Sequence, residues 1–363
     1  MRSERVFART PLAERNSGET SGVKVPARSK PPVDPVRWQA PAVDALPEVP
    51  APVINLVPVP GGEPEDVRVG SDGQLWTGAH DGGIVRLRPD GSAAEVVANT
   101  GGRPLGLGFR ADGRLLVCDS PKGLLSVDTA TGDVTTLVTQ VGGGILQFCS
   151  NVVETADGTV YFTESTSAFT VADYVGAILE ARGRGALHRL DPDGTVTTVV
   201  DGLYFANGVT LTADGSALVI AETQGRRLSK YWLTGPQAGQ LTPLAVNLPA
   251  MPDNLSTGAD GRIWCAMVTP ANPVADRLAA GPPMLRKMVW RLPPRLQPKP
   301  ASVVWAVAFD PDSGEPVAGL RTTHPDFSMV TAAVEAHGRL WLGSIGAGYL
   351  GWVDLEQTRL PRR

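Results

Sequence analysis

The sequence predicts an all-β fold, a six-bladed β-propeller with short helical insertions and a disordered N-terminal arm. Three observations carry this. Glycine (41) and proline (32) are abundant among 363 residues, as many short strands joined by tight turns require. One pattern recurs six times: an alternating apolar run, a turn at Asp-Gly or its equivalent, and a second alternating run, which is the strongest local signal for a hairpin. The turn glycines, Gly73, Gly113, Gly158, Gly215, Gly261 and Gly338, lie 40 to 77 residues apart. A four-stranded blade takes about 40–50 residues, so the longer intervals hold insertions.

Along the chain, residues 1–51 come first. They show no hydrophobic period at their start and carry seven prolines between 25 and 51. Proline blocks helix and sheet interiors alike, so this stretch is expected as a disordered Pro-rich arm, with the propeller over 52–363. The run PVINLVPV at 52–59 precedes the first repeat and is expected to add an outer strand to the last blade. Second hairpins such as 123–138 and 187–200 complete four-stranded blades. Residues 170–182 place Tyr174, Ile178 and Leu179 on one helical face. Residues 274–281 form a second helical candidate, and Pro282 and Pro283 are expected to break the helix there. Both insertions are expected to cover one end of the ring.

Composition excludes several classes. Lys and Arg (33) nearly balance Asp and Glu (37), for a net charge of −4, so nothing favours nucleic acid or an anionic membrane. Three cysteines exclude a disulfide framework and any CxxC motif. There is no apolar run of spanning length and no signal-type apolar core at the N-terminus, so a cytoplasmic protein without a membrane span is expected. No GxSxG surrounds Ser344, and no phosphate-binding glycine motif is present. Cys118, Cys149 and Cys265 read as core thiols. Trp76, Trp264 and Trp341 share one place after their turns and read as blade-to-blade packing. His188 reads as a blade-surface residue, His337 as a turn residue and His324 as a candidate substrate contact. Glu164 and Glu222 end second strands and are expected at the opposite end from the mouth.

The repeats also work as a ruler. Eight residues before the turn glycine stand Glu65, Asn207 and Asp253; seven before stand Asn151 and Asn254. These are starts of innermost strands, so equivalent positions on different blades converge on the axis at one mouth. Two carboxylates and three carboxamides form a hard, all-oxygen donor set. That set suits Ca²⁺, with another divalent metal as an alternative, rather than zinc or copper.

These residues also carry a resemblance. EPEDV at 63–67, GRPLGLGF at 102–109, YFTES at 161–165, FANGVTLTADG at 205–215, MPDNLSTGADGRIW at 251–264 and VEAHGRLWLGS at 334–344 resemble the strictosidine-synthase-like branch of the senescence marker protein/gluconolactonase superfamily. The resemblance spans about 52–355. It implies a six-bladed propeller with a divalent metal, usually calcium, on the axis, and metal positions at Glu65, Asn151, Asn207 and Asp253, with Asn254 as a fifth. It also implies lactonase or arylesterase chemistry. Two departures stand out. The plant condensing enzymes use a last-blade glutamate where this chain has Thr331, and the paraoxonase relatives use a histidine where it has Leu105.

The expected function is therefore metal-dependent hydrolysis of a small-molecule lactone or ester, with Asp253 as catalytic general base. The alternatives are a non-catalytic calcium-stabilised binding propeller and a strictosidine-synthase-like condensing enzyme.

Overall fold

The computed structural model describes residues 30–293, 296 and 301–361. Six four-stranded antiparallel sheets succeed one another along the chain as the blades of a propeller. Blade 1 spans 67–99, blade 2 103–138, blade 3 149–203, blade 4 206–245 and blade 5 250–322. Blade 6 takes three strands from 330–354 and its fourth from Asn55–Pro58, which pairs antiparallel with Tyr349–Asp354 in the register Asn55↔Trp352 to Pro58↔Tyr349. The two ends of the propeller thus share one sheet, as the run at 52–59 predicts.

The Asp-Gly signature has a direct structural cause. Gly73, Gly113, Gly158, Gly215, Gly261 and Gly338 all have φ between 69° and 88°, a region glycine enters without steric cost. The preceding Asp carboxylate accepts the backbone N–H two residues on, at Asp72, Asp112, Asp157, Asp214 and Asp260, the usual Asx-turn. In blade 6 His337 replaces the aspartate, itself at φ 53°, and its Nε2 lies 2.8 Å from Gly73 O of blade 1.

The core is a series of apolar layers between neighbouring blades. Trp76, Ile84, Leu107 and Val117 fill the gap between blades 1 and 2, and Trp264, Ala306, Leu340 and Leu342 the gap between blades 5 and 6. The three repeated tryptophans are buried in these layers. Trp264 Nε1 donates across the gap to Glu335 Oε1 at 2.6 Å, and Trp76 meets Phe109 edge-on at 5.9 Å, as packing residues should.

Three helices lie in the insertions: α1 (Tyr174–Glu180), α2 (Pro273–Ala280) and α3 (Pro283–Arg291). Asn272 caps α2 by accepting the N–H groups of Val274 and Ala275. The helical stretch is interrupted before Pro282 and Pro283, as expected, and the two prolines then start α3. Proline suits a first helical turn because its missing N–H is unpaired there anyway.

The N-terminal arm corrects its expectation in part. Residues 1–29 lie outside the described residues. Residues 31–51 contain neither helix nor strand, as their prolines require, yet they are docked rather than disordered. Val36 N donates to Glu180 O at 3.0 Å, Trp38 N to Ala279 O at 3.0 Å and Asp44 N to Asn247 O at 2.9 Å. The buried guanidiniums of Arg286 and Arg226 donate to the carbonyls of Val36 and Pro41, and Trp38 rests on Tyr204 at 5.6 Å. No helix among the described residues is long and apolar enough to cross a membrane.

Candidate functional site

Each innermost strand begins at the same mouth, and a register shift recurs at the same place. It falls between Pro104 and Leu107, Cys149 and Val152, Ala206 and Val209, Pro252 and Leu255, and Val330 and Ala332. A bulge re-aims side chains and interrupts the ladder. The residues inside these shifts are Leu105-Gly106, Ser150-Asn151, Asn207-Gly208, Asp253-Asn254 and Thr331. Glu65-Asp66 hold the matching place before the short first strand of blade 1, Val67–Val69. All five residues read from the repeat offset therefore lie on one ring, and all are buried.

The approach is close enough to require glycine. A Cβ at Gly106 would stand 2.5 Å from Asn151 Cα, and one at Gly208 2.4 Å from Leu255 N. Asn207-Gly208 is thus not a turn but a strand segment pressed against blade 5.

Hydrogen bonds sort the five residues into two groups. Asn151 Nδ2 donates to Asn254 Oδ1 at 2.9 Å, and Asn254 Nδ2 donates to Glu65 Oε1 at 3.1 Å. Asn151 Oδ1 accepts Val152 N at 3.0 Å. These two amides are tied into the ring. Among the described residues Asn207 Oδ1 accepts one hydrogen bond, from Ser150 Oγ at 3.0 Å, while its amide donates to Thr223 Oγ1 at 3.1 Å. Glu65 Oε2 and Asp253 Oδ1 are buried with no hydrogen-bond partner among the described residues.

Buried acceptors without a donor are rare and costly, and carboxylates are the costliest. Burial, then the charges of Asp253 and Asp66, push the Glu65 carboxyl well above its ordinary range. Burial likewise pushes Asp253 up to about 8. A divalent cation would relieve both. Among the described residues no three His, Cys, Asp or Glu side chains converge as ligands, so a cation here depends on the Asn207 carboxamide as well. The residues present fit that demand.

Sequence reasoning missed Asp66 and Arg68. Asp66 stands seven residues before Gly73, on the same ruler, and Oδ2 accepts Leu107 N of blade 2 at 2.9 Å. Arg68 lies two residues further along the strand, so strand alternation puts it on the same side. Its guanidinium donates to Leu107 O at 2.8 Å, Leu255 O at 3.3 Å and Asn151 Oδ1 at 3.4 Å, and pairs with Asp66 at 3.1 Å. One side chain thus links blades 1, 2, 3 and 5 next to the acidic ring.

The mouth is roofed by an apolar cluster containing Leu105, Phe148, Phe205, Phe169, Trp290 and Val33, with Tyr174 of α1 packed against it. Phe148 and Phe205 meet edge-on at 5.5 Å. Burial, then the Asp253 charge, push the Tyr174 phenol up.

Two expectations need correction. Glu164 and Glu222 pair with Cys149 and Ala206, so they lie at the mouth end, because an antiparallel second strand returns to where the first began. Both are engaged, Glu222 by Arg227 at 2.5 Å and Glu164 by His188 at 3.2 Å. His188 is not on a surface. It is 3% exposed, held between Glu164 and Thr198. His324 closes a small turn, where its Nδ1 accepts Asp326 N at 3.1 Å. Thr331 Oγ1 donates to Glu65 O at 2.6 Å.

Known proteins agree with this architecture. The family model for strictosidine synthase matches residues 151–236, and that for the strictosidine synthase-like N-terminal region matches 54–87. Protein strictosidine synthase-like 4 of Arabidopsis thaliana is 32% identical over 300 residues, covering 80% of this chain and 79% of that protein. Adipocyte plasma membrane-associated protein of Salmo salar is 33% identical over 311 residues, covering 78% and 74%. Among solved structures, a gluconolactonase from Xanthomonas campestris superposes with a TM-score of 0.61 at 17% identity, covering 90% of this chain and 98% of that one. The calcium-binding protein regucalcin from Agrobacterium tumefaciens does so with a TM-score of 0.56 at 16% identity, covering 84% and 93%. At that identity the structural likeness is one of fold. The sequence relatives reach further, and the chain belongs to the strictosidine synthase-like family.

Proposed function

We propose that this protein is a metal-dependent hydrolase of a lactone or ester, with a divalent cation, calcium, held on the propeller axis by Glu65, Asn207 and Asp253. The observation that carries the reading is the pair of buried, partnerless oxygens, Glu65 Oε2 and Asp253 Oδ1, beside an Asn207 oxygen with a lone pair to spare. An all-oxygen set with two negative charges suits calcium, which takes oxygen ligands at about 2.3–2.6 Å. The fold shared with a gluconolactonase and with the calcium-binding regucalcin supports the same reading.

When bound, the cation supplies Lewis acidity toward the substrate carbonyl. The chain's own residues do the rest. Asn151 and Asn254 hold Glu65 in place through their amides. Asp253 would take the proton of the attacking water on the carboxylate oxygen that does not hold the cation and return it to the leaving alkoxide. The aromatic roof around Phe148 and Phe205 excludes bulk water, which strengthens every charge interaction beneath it. Thr331 has no carboxylate to offer and spends its hydroxyl on Glu65 O, so an amine–aldehyde condensation driven from that position is not supported.

The same roof supports a second reading, a cation that only braces a binding propeller. Hydrolysis of sugar lactones, aliphatic lactones and aryl esters by chelated protein, with and without added Ca²⁺, separates the two. Turnover restored by calcium and abolished in Asp253→Ala supports the hydrolase. A calcium-raised melting temperature without turnover of any class supports the brace.

A further inference from the structure

Outside the acidic ring, the blade 2–blade 3 layer holds a pair of thiols. Cys118 lies in the second strand of blade 2, Leu115–Ser120, and Cys149 opens the innermost strand of blade 3, Cys149–Glu154. Both are free and 0% exposed. Their sulfurs are 2.9 Å apart, nearer than the about 3.5–4.0 Å at which even non-bonded carbons rest. The flanking backbone is pinned as well, since Ser120 Oγ donates to Gln147 O at 3.0 Å. Cys265 lies in a different layer, between blades 4 and 5.

We propose that Cys118 and Cys149 are an oxidisable pair that closes to a disulfide, stapling blade 2 to blade 3 two residues before Asn151. A disulfide needs sulfurs at about 2.05 Å, so each sulfur moves by less than the width of an atom, and neither strand has to leave its sheet. With hydrogen peroxide as the oxidant, one thiol attacks the peroxide to give a sulfenic acid and one water, and the second thiol attacks that sulfur to release a second water. Two S–H bonds and the O–O bond break, and one S–S bond forms. The sulfurs lose two electrons, the peroxide oxygens gain them, and both thiol hydrogens leave in water.

The consequence is a covalent tie across an interblade layer packed around Leu116, Val152 and Phe162 and bridged at its far end by Arg110 and Glu154 at 2.8 Å. It fixes the spacing of the blade that supplies Asn151 against the blade that supplies Gly106, whose backbone already presses on Asn151. The inference stands apart from the hydrolase reading, because its test is read by mass rather than by turnover.

The full chain is treated with hydrogen peroxide, quenched, denatured in acid and mapped without reductant, beside Cys118→Ala and Cys265→Ala. The expected result is one free thiol where the reduced protein has three, a mass lower by two hydrogens and a linked peptide joining Cys118 to Cys149. The Cys265→Ala variant retains the link and Cys118→Ala loses it, and the oxidised protein melts at a higher temperature. Three surviving thiols, sulfinic acid without the link, or a link through Cys265 would overturn the proposal.

Discussion

Glu65 and Asp253 each bury one carboxylate oxygen that no donor among the described residues reaches, which ties stability to pH. Both carboxyls titrate above their ordinary ranges, Asp253 near 8, chiefly because burial penalises the charged form. In the unfolded chain an Asp ionises near 3.9. The chelated protein therefore binds more protons folded than unfolded between about pH 4 and 8. Its stability should fall as pH rises through that window, and saturating calcium should remove much of the slope. Urea melts of chelated and calcium-loaded protein at pH 5 and 8 test this, and a flat chelated profile would contradict it. Arg68 makes a second residue-scale case. Arg68→Met strands the fully buried Asp66 carboxylate, and breaking a buried ion pair costs about 3–5 kcal/mol. Adding Asp66→Asn to that variant should recover part of the loss in denaturant melts.

The innermost strands show which parts of the site were legible. The Asp-Gly turns are chain-local, so their spacing could be read without a structure, and counting back from them found Glu65, Asn151, Asn207, Asp253 and Asn254 on one ring. The bulge that makes both offsets meaningful was not legible, because a register shift depends on the partner strand. Asp66 stood on the ruler but was hidden by the more familiar glutamate before it. Arg68 left only an alternation signal, since its partners are carbonyls of Leu107 and Leu255 on other blades. Glu164 and Glu222 come to the mouth because an antiparallel second strand returns to where the first began, a return that a strand-end position alone does not reveal. The glycines of this ring give an element-scale expectation. Gly208→Ala forces a Cβ against the backbone of Leu255, and such overpacking costs about 1–3 kcal/mol. The melting temperature should fall and calcium should bind more weakly, whereas Gly215→Asn, in an open turn at φ 69°, should leave calcium binding unchanged.

At the scale of the whole molecule, closure rests on a few segments far apart in sequence. Asn55–Pro58 completes blade 6, and residues 31–51 lie along α1, α2, the connection after blade 4 and the outer strand of blade 5 through backbone hydrogen bonds. The sequence marks the first segment by its apolar alternation. The docking of the second was hidden, because proline content excludes regular structure but does not tell where an irregular chain rests. Removing residues 1–51 should leave a folded propeller with a lower melting temperature and looser α1. Removing 1–59 should abolish the cooperative transition, because it opens the ring and bares a strand edge. Circular dichroism melts of the two truncations distinguish these outcomes. The central claim is that the ring of Glu65, Asn207 and Asp253 is a cation site. Calorimetric titration of chelated protein with calcium tests it most directly, in the wild type and in Glu65→Gln/Asp253→Asn. One calcium bound per chain, lost in the double variant while its fold persists, is the predicted result. Undiminished binding in that variant, or no binding by the wild type, would contradict it.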